Sequence, residues 1–279
     1  MMLPTLVLLA LISIVPLLYI IWMSLSDVSL MGGVHMDFAG GKNWVTLVTD
    51  PDLWWSWRVS AVYFVATLGL EVVLGVGIAL LVHELVFAKN TLLSILLMPM
   101  FVAPVIVGLL GRLLTDPTFG LYSWMIDKVG GPSNLLGNGT TALVTTILLD
   151  VWEWTPLIML ITLAGLSSVP QALIEAASLD GAGYWKRLLH IVLPSISGVV
   201  LVALLIRAMD AIRYFDIIWI TTNGGPADAT KVVPLRLYEN AFRFFDLGYA
   251  AAIGISMLVV TIVVAKIFVS LLARRGATA

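Results

Sequence analysis

Glu175-Ala176-Ala177-Ser178-Leu179-Asp180-Gly181, nine residues, then Ile191-Val192-Leu193-Pro194: this stretch decides the fold. It is the longest polar interruption in the second half of a strongly apolar chain. Ser168 and Gln171 have the spacing of a capping box, and Pro170 stands near the first helical turn. Ala172 to Leu179 reads as helix, and Gly181 and Gly183 break it. Tyr184 to Ile191 resumes the helix, and Pro194 is expected to end it. Two short helices joined by a hinge between two membrane spans make an element shaped to be held from outside the lipid. An ordinary amphipathic loop is the competing reading.

The membrane assignment rests on composition. Hydrophobic residues are 60% of the 279 and charged residues 11%, with a mean hydropathy of +1.04. Soluble domains carry about 25% charged residues, so this is an integral membrane protein. Six stretches satisfy the requirement of about 20 mostly apolar residues per span: 3–25, 59–82, 91–114, 140–166, 195–220 and 248–272. The expected fold is all-α, a single domain over 1–279 with six transmembrane helices and the helix-turn-helix segment 167–194 between helices 4 and 5. A secretory signal is the alternative for the first stretch. Its apolar run is too long, and no basic region precedes it and no small-residue cleavage site follows. Pro99 and Pro104 should kink the third span, and Leu121 to Val129 reads as a short interfacial helix. Asp27 to Trp57 reads as a polar, aromatic loop, with Trp44, Trp54, Trp55 and Trp57 suited to headgroup depth.

Several functions are excluded early. The absence of cysteine rules out disulfides and thiol chemistry. A net charge of −2 argues against nucleic acid as a partner. His35, His83 and His190 are widely separated, so no histidine-rich metal site is expected. No phosphate-binding loop is present, so the chain is not itself an ATPase.

The segment Glu-Ala-Ala, three residues, Gly, nine residues, Ile-x-Leu-Pro resembles the EAA loop of bacterial ABC importer permeases. The resemblance implies a cytoplasmic loop that docks into a groove on an ATPase subunit. Its ATPase-coupling residues here would be Glu175, Ala176, Ala177, Asp180, Gly181, Ala182, Ile191, Leu193 and Pro194. Two further segments, Thr115-Asp116-Pro117-Thr118-Phe119-Gly120 and Asn223-Gly224-Gly225-Pro226, are similar to carbohydrate-uptake permeases of the maltose type. The implied assembly has a second homologous permease subunit, two ATP-binding cassette ATPase subunits that hold ATP and Mg, and an extracytoplasmic solute-binding protein. It lies in the bacterial cell membrane, and no cofactor is expected in this chain. The family's cytoplasmic N-terminal tail is expected to be missing or shortened. Positive charge on the two sets of loops is nearly balanced, so the resemblance sets the orientation: the loop and the Arg274-Arg275 tail in the cytoplasm.

The spans also carry charge, at a cost of about 2.5–3.5 kcal/mol per residue at mid-bilayer. Asp150 and Glu153 share one side of the fourth span. Arg207, Asp210 and Arg213 are spaced by three in the fifth and are expected to neutralise one another along one face. Glu71 stands isolated in the second span, where a structural hydrogen bond is the preferred reading. Internal ion pairing and a polar, aromatic-flanked cavity for a hydroxylated ligand are both open from the residues alone. The maltose-type resemblance places a translocation site at Trp152-Glu153-Trp154-Thr155-Pro156 and at Asp210 to Phe215. By position it implies a path lined by Asp150, Glu153, Trp154, Leu157, Asp210, Ala211, Arg213 and Tyr214. The alternative function is an ion-coupled secondary transporter using Asp150, Glu153 or Asp210 as its proton or sodium site.

Overall fold

The computed structural model describes residues 3–29, 33, 35–85 and 87–276. The side chain of Arg275, half of the expected basic tail, lies outside the described residues. Thirteen helices are described, joined by one small hairpin. Helix α1 (Leu3–Ser24) leads into a two-stranded antiparallel ribbon, β1 (Ser26–Ser29) with β2 (His35–Phe38). The fold is therefore helical, as expected, apart from this ribbon. Next come α2 (Lys42–Thr49) and α3 (Pro51–Glu84). Trp54, Trp55 and Trp57 belong to the first turns of α3, and the expected loop is shorter. The reason is local: Asp50 Oδ1 accepts from the Asp52 amide at 2.9 Å, and Pro51 supplies a helix-ready φ.

The third apolar stretch is broken. It forms α4 (Lys89–Leu97) with a 3₁₀ turn over Met98–Phe101, then α5 (Pro104–Leu114), and the two halves meet at 92°. Ala103, which precedes Pro104, is extended at φ −65°, ψ 138°, as the proline ring demands of its neighbour. After α6 (Leu121–Lys128) comes α7 (Gly139–Leu166), capped where Asn138 Oδ1 accepts from the Thr140 amide at 2.9 Å.

The decisive stretch folds as α8 (Gln171–Leu179) and α9 (Tyr184–Arg187). The expected capping box does not form. The Ser168 hydroxyl donates back to the Gly165 carbonyl at 2.7 Å, and Pro170 holds the cap position. The hinge does form. Gly181, at φ +76°, closes a Schellman turn in which Ala182 N–H reaches the Ala177 carbonyl and Gly181 N–H reaches that of Ser178.

Pro194 does not end the second helix. A π-helical turn over Leu188–Val192 carries α9 into α10 (Leu193–Ala211), so one helix runs from Tyr184 to Ala211 over 28 residues. The wider turn relieves the clash between a proline ring and the carbonyl four residues back. At about 1.5 Å per residue the helix is roughly 40 Å long. The chain unwinds at Ile212–Phe215 before α11 (Asp216–Thr221), which ends the fifth span earlier than the sequence suggests. Helices α12 (Val233–Phe242) and α13 (Leu247–Gly276) complete the fold. Among the described residues five helices are long and apolar enough to span a membrane, or six if the α4/α5 pair counts as one.

The chain divides into two compact units, Met1–Ser60 with Lys231–Ile262 and Ala61–Thr230 with Val263–Ala279. In the first, Leu53, Val233, Tyr249 and Ile253 form a buried core. The Tyr249 hydroxyl donates to Asp50 Oδ2 at 2.6 Å, and Asn43 donates to the Ser24 and Ser26 carbonyls. On its surface Lys42 donates to Asp27 Oδ2 at 2.9 Å, and this bond holds its ammonium above the usual lysine range. In the second unit Ala79, Val82, Met159, Leu163, Leu166 and Ile196 form the core.

Small residues set the spacing in this second core. A Cβ on Gly75 would stand 2.8 Å from the Ile158 side chain and 3.1 Å from the Met159 backbone nitrogen. Gly75→Leu should therefore destabilise the unit by about 1–3 kcal/mol through overpacking. Thermal unfolding of the purified chain in detergent checks this; an unchanged melting temperature would mean that α3 and α7 are not in contact there.

Candidate functional site

The second unit concentrates its charge around one side chain. Arg207 lies in the last turns of α10 and is fully buried. Its Nε donates to both Glu71 carboxylate oxygens at 3.0 Å, and its Nη2 sits 2.9 Å from Glu71 Oε1. Nη2 also contacts Asp150 Oδ2 at 2.5 Å, and Nη1 reaches Asp210 Oδ2 at 3.3 Å. All three guanidinium nitrogens are thus engaged, by carboxylates from α3, α7 and α10. Glu71 and Asp150 are fully buried, whereas the Asp210 side chain is 43% exposed.

Aromatic rings close over this centre. The guanidinium carbon lies 5.2 Å from the Trp154 ring centroid and 5.5 Å from that of Tyr214. Tyr63 stacks on Tyr214 at 6.1 Å, and the Tyr214 hydroxyl donates to Glu153 Oε2 at 2.8 Å. One buried cation therefore orders three helices and two aromatic faces in a setting where an unpaired charge costs several kcal/mol.

Of the eight residues expected along a path, the structure brings Asp150, Glu153, Trp154, Asp210 and Tyr214 to this centre. Ala211 is buried beside it at the end of α10, and Leu157 is half-buried one turn beyond Trp154. Arg213 does not join the expected ladder with Asp210. The helix ends at Ala211, and the exposed Arg213 donates instead to the Met209 carbonyl at 3.2 Å. Glu71 is not isolated either, since it is the principal partner of Arg207. Glu71, Arg207 and Tyr63 are missing from the sequence-derived path. A signal existed for the first two, because a charge inside one span calls for an opposite charge inside another. A separate apolar cavity of about 660 Å³ opens between α5, α6 and α7, lined by Leu110, Leu149 and Trp152 among others. None of the eight path residues lines it.

The expected coupling residues lie on one exposed elbow. Glu175, Ala176, Asp180, Gly181 and Pro194 are exposed, and Ala177, Ala182, Ile191 and Leu193 are half-buried. Arg187 Nη1 donates to Ser178 Oγ at 2.5 Å and ties α9 to α8. Leu179 is 90% and Trp185 70% exposed, an apolar display that solvent alone does not favour. Beneath the elbow lies a cavity of about 350 Å³ lined by Leu80, His83, Glu84, Tyr184 and Arg187, among others.

The chain is a multi-pass helical membrane protein with a charged centre between its spans and an exposed elbow. Residues 71–277 match the family described as binding-protein-dependent transport system inner membrane component, and the chain belongs to that family. The trehalose/maltose transport system permease protein MalF of Thermococcus litoralis is 34% identical over 257 residues, covering 91% of this chain and 86% of that protein. The trehalose transport system permease protein SugA of Mycobacterium tuberculosis is 30% identical over 268 residues, covering 96% and 86%. A bacterial ABC transporter that imports the acidic polysaccharide alginate shares the fold, with a TM-score of 0.85 at 21% identity over 98% of this chain and 94% of that one. These relatives are transport permeases rather than enzymes, and family membership does not favour the ion-coupled alternative.

Replacing Arg207 by Met would leave Glu71 and Asp150 buried without their cation, at a cost of about 3–5 kcal/mol. The triple change Glu71→Leu, Asp150→Leu and Arg207→Met removes the buried guanidinium together with its two buried partners and should recover most of that loss. Thermal unfolding in detergent distinguishes the two; a single variant that melts like the parent would show that Arg207 is not the pin.

Proposed function

We propose that this chain is one permease subunit of an ATP-driven importer that moves a sugar or sugar-like solute into the cytoplasm. The observation that carries the proposal is the unbroken helix Tyr184–Ala211. Its first turns form the elbow, and its last turns hold Arg207 and Asp210. A push on α9 is therefore delivered along one continuous helix to the charged centre.

In this reading the chain acts as one permease domain in the bacterial cell membrane, with the α8–α9 elbow as the cytoplasmic coupling element. Glu175, Ala176, Ala177, Asp180, Gly181, Ala182, Ile191, Leu193 and Pro194 face a groove on an ATPase subunit. Two such subunits bind ATP and Mg. A second permease chain completes the path, and an extracytoplasmic binding protein delivers the solute. Asp150, Glu153, Trp154, Leu157, Asp210, Ala211, Arg213 and Tyr214 line or support the path. Carboxylates accept hydrogen bonds from sugar hydroxyls, and the Trp154 and Tyr214 rings offer faces for the apolar side of a sugar ring. The trehalose and maltose named for two of its relatives support a sugar as the cargo. No bond is made or broken by this chain.

Two measurements test the proposal. Gly181→Val imposes a β-branched residue at φ +76° and should distort the elbow. Membrane insertion should survive while ATPase co-purification or coupled uptake is lost; normal values of both would contradict the docking role. Trp154→Ala should lower uptake roughly 3- to 10-fold, as expected for loss of about 1 kcal/mol of ring contact, without dissolving the complex. Unaltered uptake would remove Trp154 from the path.

A further inference from the structure

The charged centre has an imbalance that bears on what it admits. Four carboxylates, those of Glu71, Asp150, Glu153 and Asp210, surround the single buried guanidinium of Arg207. All three nitrogens of that guanidinium are already bonded to carboxylates. Of its five N–H groups only one, on Nη1, is left without a carboxylate, and its charge is already matched by the fully buried Glu71 and Asp150. The phenol proton of Tyr214 is likewise committed to Glu153. Even with the exposed Arg213, whose Nε is held by the Met209 carbonyl, two formal positive charges face four negative ones.

What the centre does offer is acceptors and ring faces. The Asp210 carboxylate is 43% exposed and holds Arg207 through one oxygen, Oδ2. Tyr63 is 1% exposed and stacks against Tyr214, and its hydroxyl has no hydrogen-bond partner among the described residues. Trp154 is half-buried, with its ring over the Arg207 guanidinium. Carboxylate oxygens accept from hydroxyl hydrogens. A carboxylate, sulfonate or phosphate brings only acceptors and a like charge, in a medium that screens poorly.

We infer that this centre selects uncharged, hydroxyl-rich solutes and rejects those carrying a carboxylate, sulfonate or phosphate group. The inference rests on the transport reading above. Asp210 is its specificity-determining residue, because it alone of the four carboxylates combines substantial exposure with a bond to Arg207. The selection operates inside the permease, in addition to any made by a binding protein.

The test uses the complete transporter reconstituted in vesicles with its own binding protein. Uptake is measured for a panel of neutral mono- and disaccharides, including trehalose and maltose, and for carboxylated or phosphorylated counterparts such as maltobionate and glucose 6-phosphate. Neutral solutes should be taken up and the anionic counterparts largely refused. Asp210→Asn should raise anionic uptake relative to neutral uptake about fivefold, the effect of one unit charge at several ångströms in a partly screened site. The binding protein is unchanged in that comparison, so a shift belongs to the permease. Anionic uptake equal to neutral uptake, or a ratio that Asp210→Asn leaves unmoved, overturns this inference alone. Failure of every sugar, neutral or anionic, to enter overturns the transport reading and this inference with it.

Discussion

A guanidinium buried in apolar surroundings has to be matched by carboxylates, and most of the second unit follows from that requirement. Arg207 is fully buried on α10, and Glu71 on α3 and Asp150 on α7 are fully buried against it. Hydrophobic contact gives weak direction to helices that already lie in lipid, since lipid tails are as apolar as leucine. A fully engaged guanidinium supplies direction instead. It fixes which faces of three spans meet, and at what height. Trp154 and Tyr214 then take their places as rings over the cation rather than as loose interface aromatics.

The same pin gives the long helix a mechanical meaning. On the proposed reading, a helix anchored at one end by Arg207 and bearing an exposed elbow at the other acts as a lever. Two features bear on its continuity. The π turn at Leu188–Val192 absorbs Pro194 without interrupting the helix, and the Arg187–Ser178 hydrogen bond braces the elbow against it. The breaks fall elsewhere, at Val102–Ala103 and Ile212–Phe215. The halves beyond them, α5 and α11, pack so closely that a Cβ on Gly108 would stand 2.9 Å from Ile220. The unwound segments therefore lie beyond the long helix and not within it.

Much of this was legible in the sequence, and the failures have physical causes. Apolar run length marked out the helices long enough to span a membrane, because the bilayer sets a minimum length that composition reveals directly, although the third stretch is bent and the fifth ends early. Gly181 was legible as a hinge because a positive φ at a helix end favours glycine. Pro194 misled, since a proline stops a helix only when no wider turn is available to accommodate it. Ser168 misled because its hydroxyl found a carbonyl in the preceding turn, a competitor that spacing does not disclose. The ladder from Arg207 through Asp210 to Arg213 misled because spacing by three matters only while the helix lasts, and it ends at Ala211. The Glu71–Arg207 pair spans 136 residues of sequence and becomes visible only when the helices are assembled.

If the elbow is gripped from the cytoplasm by ATPase subunits, a thiol placed on it must be reachable from that side and shielded by them. The chain has no cysteine, so Ala177→Cys provides a unique thiol on α8. Labelling by a membrane-impermeant maleimide should occur only in inside-out vesicles and should fall when the ATPase subunits are bound. Labelling in right-side-out vesicles, or labelling from inside that ignores the ATPase subunits, would contradict a lever driven from the cytoplasm.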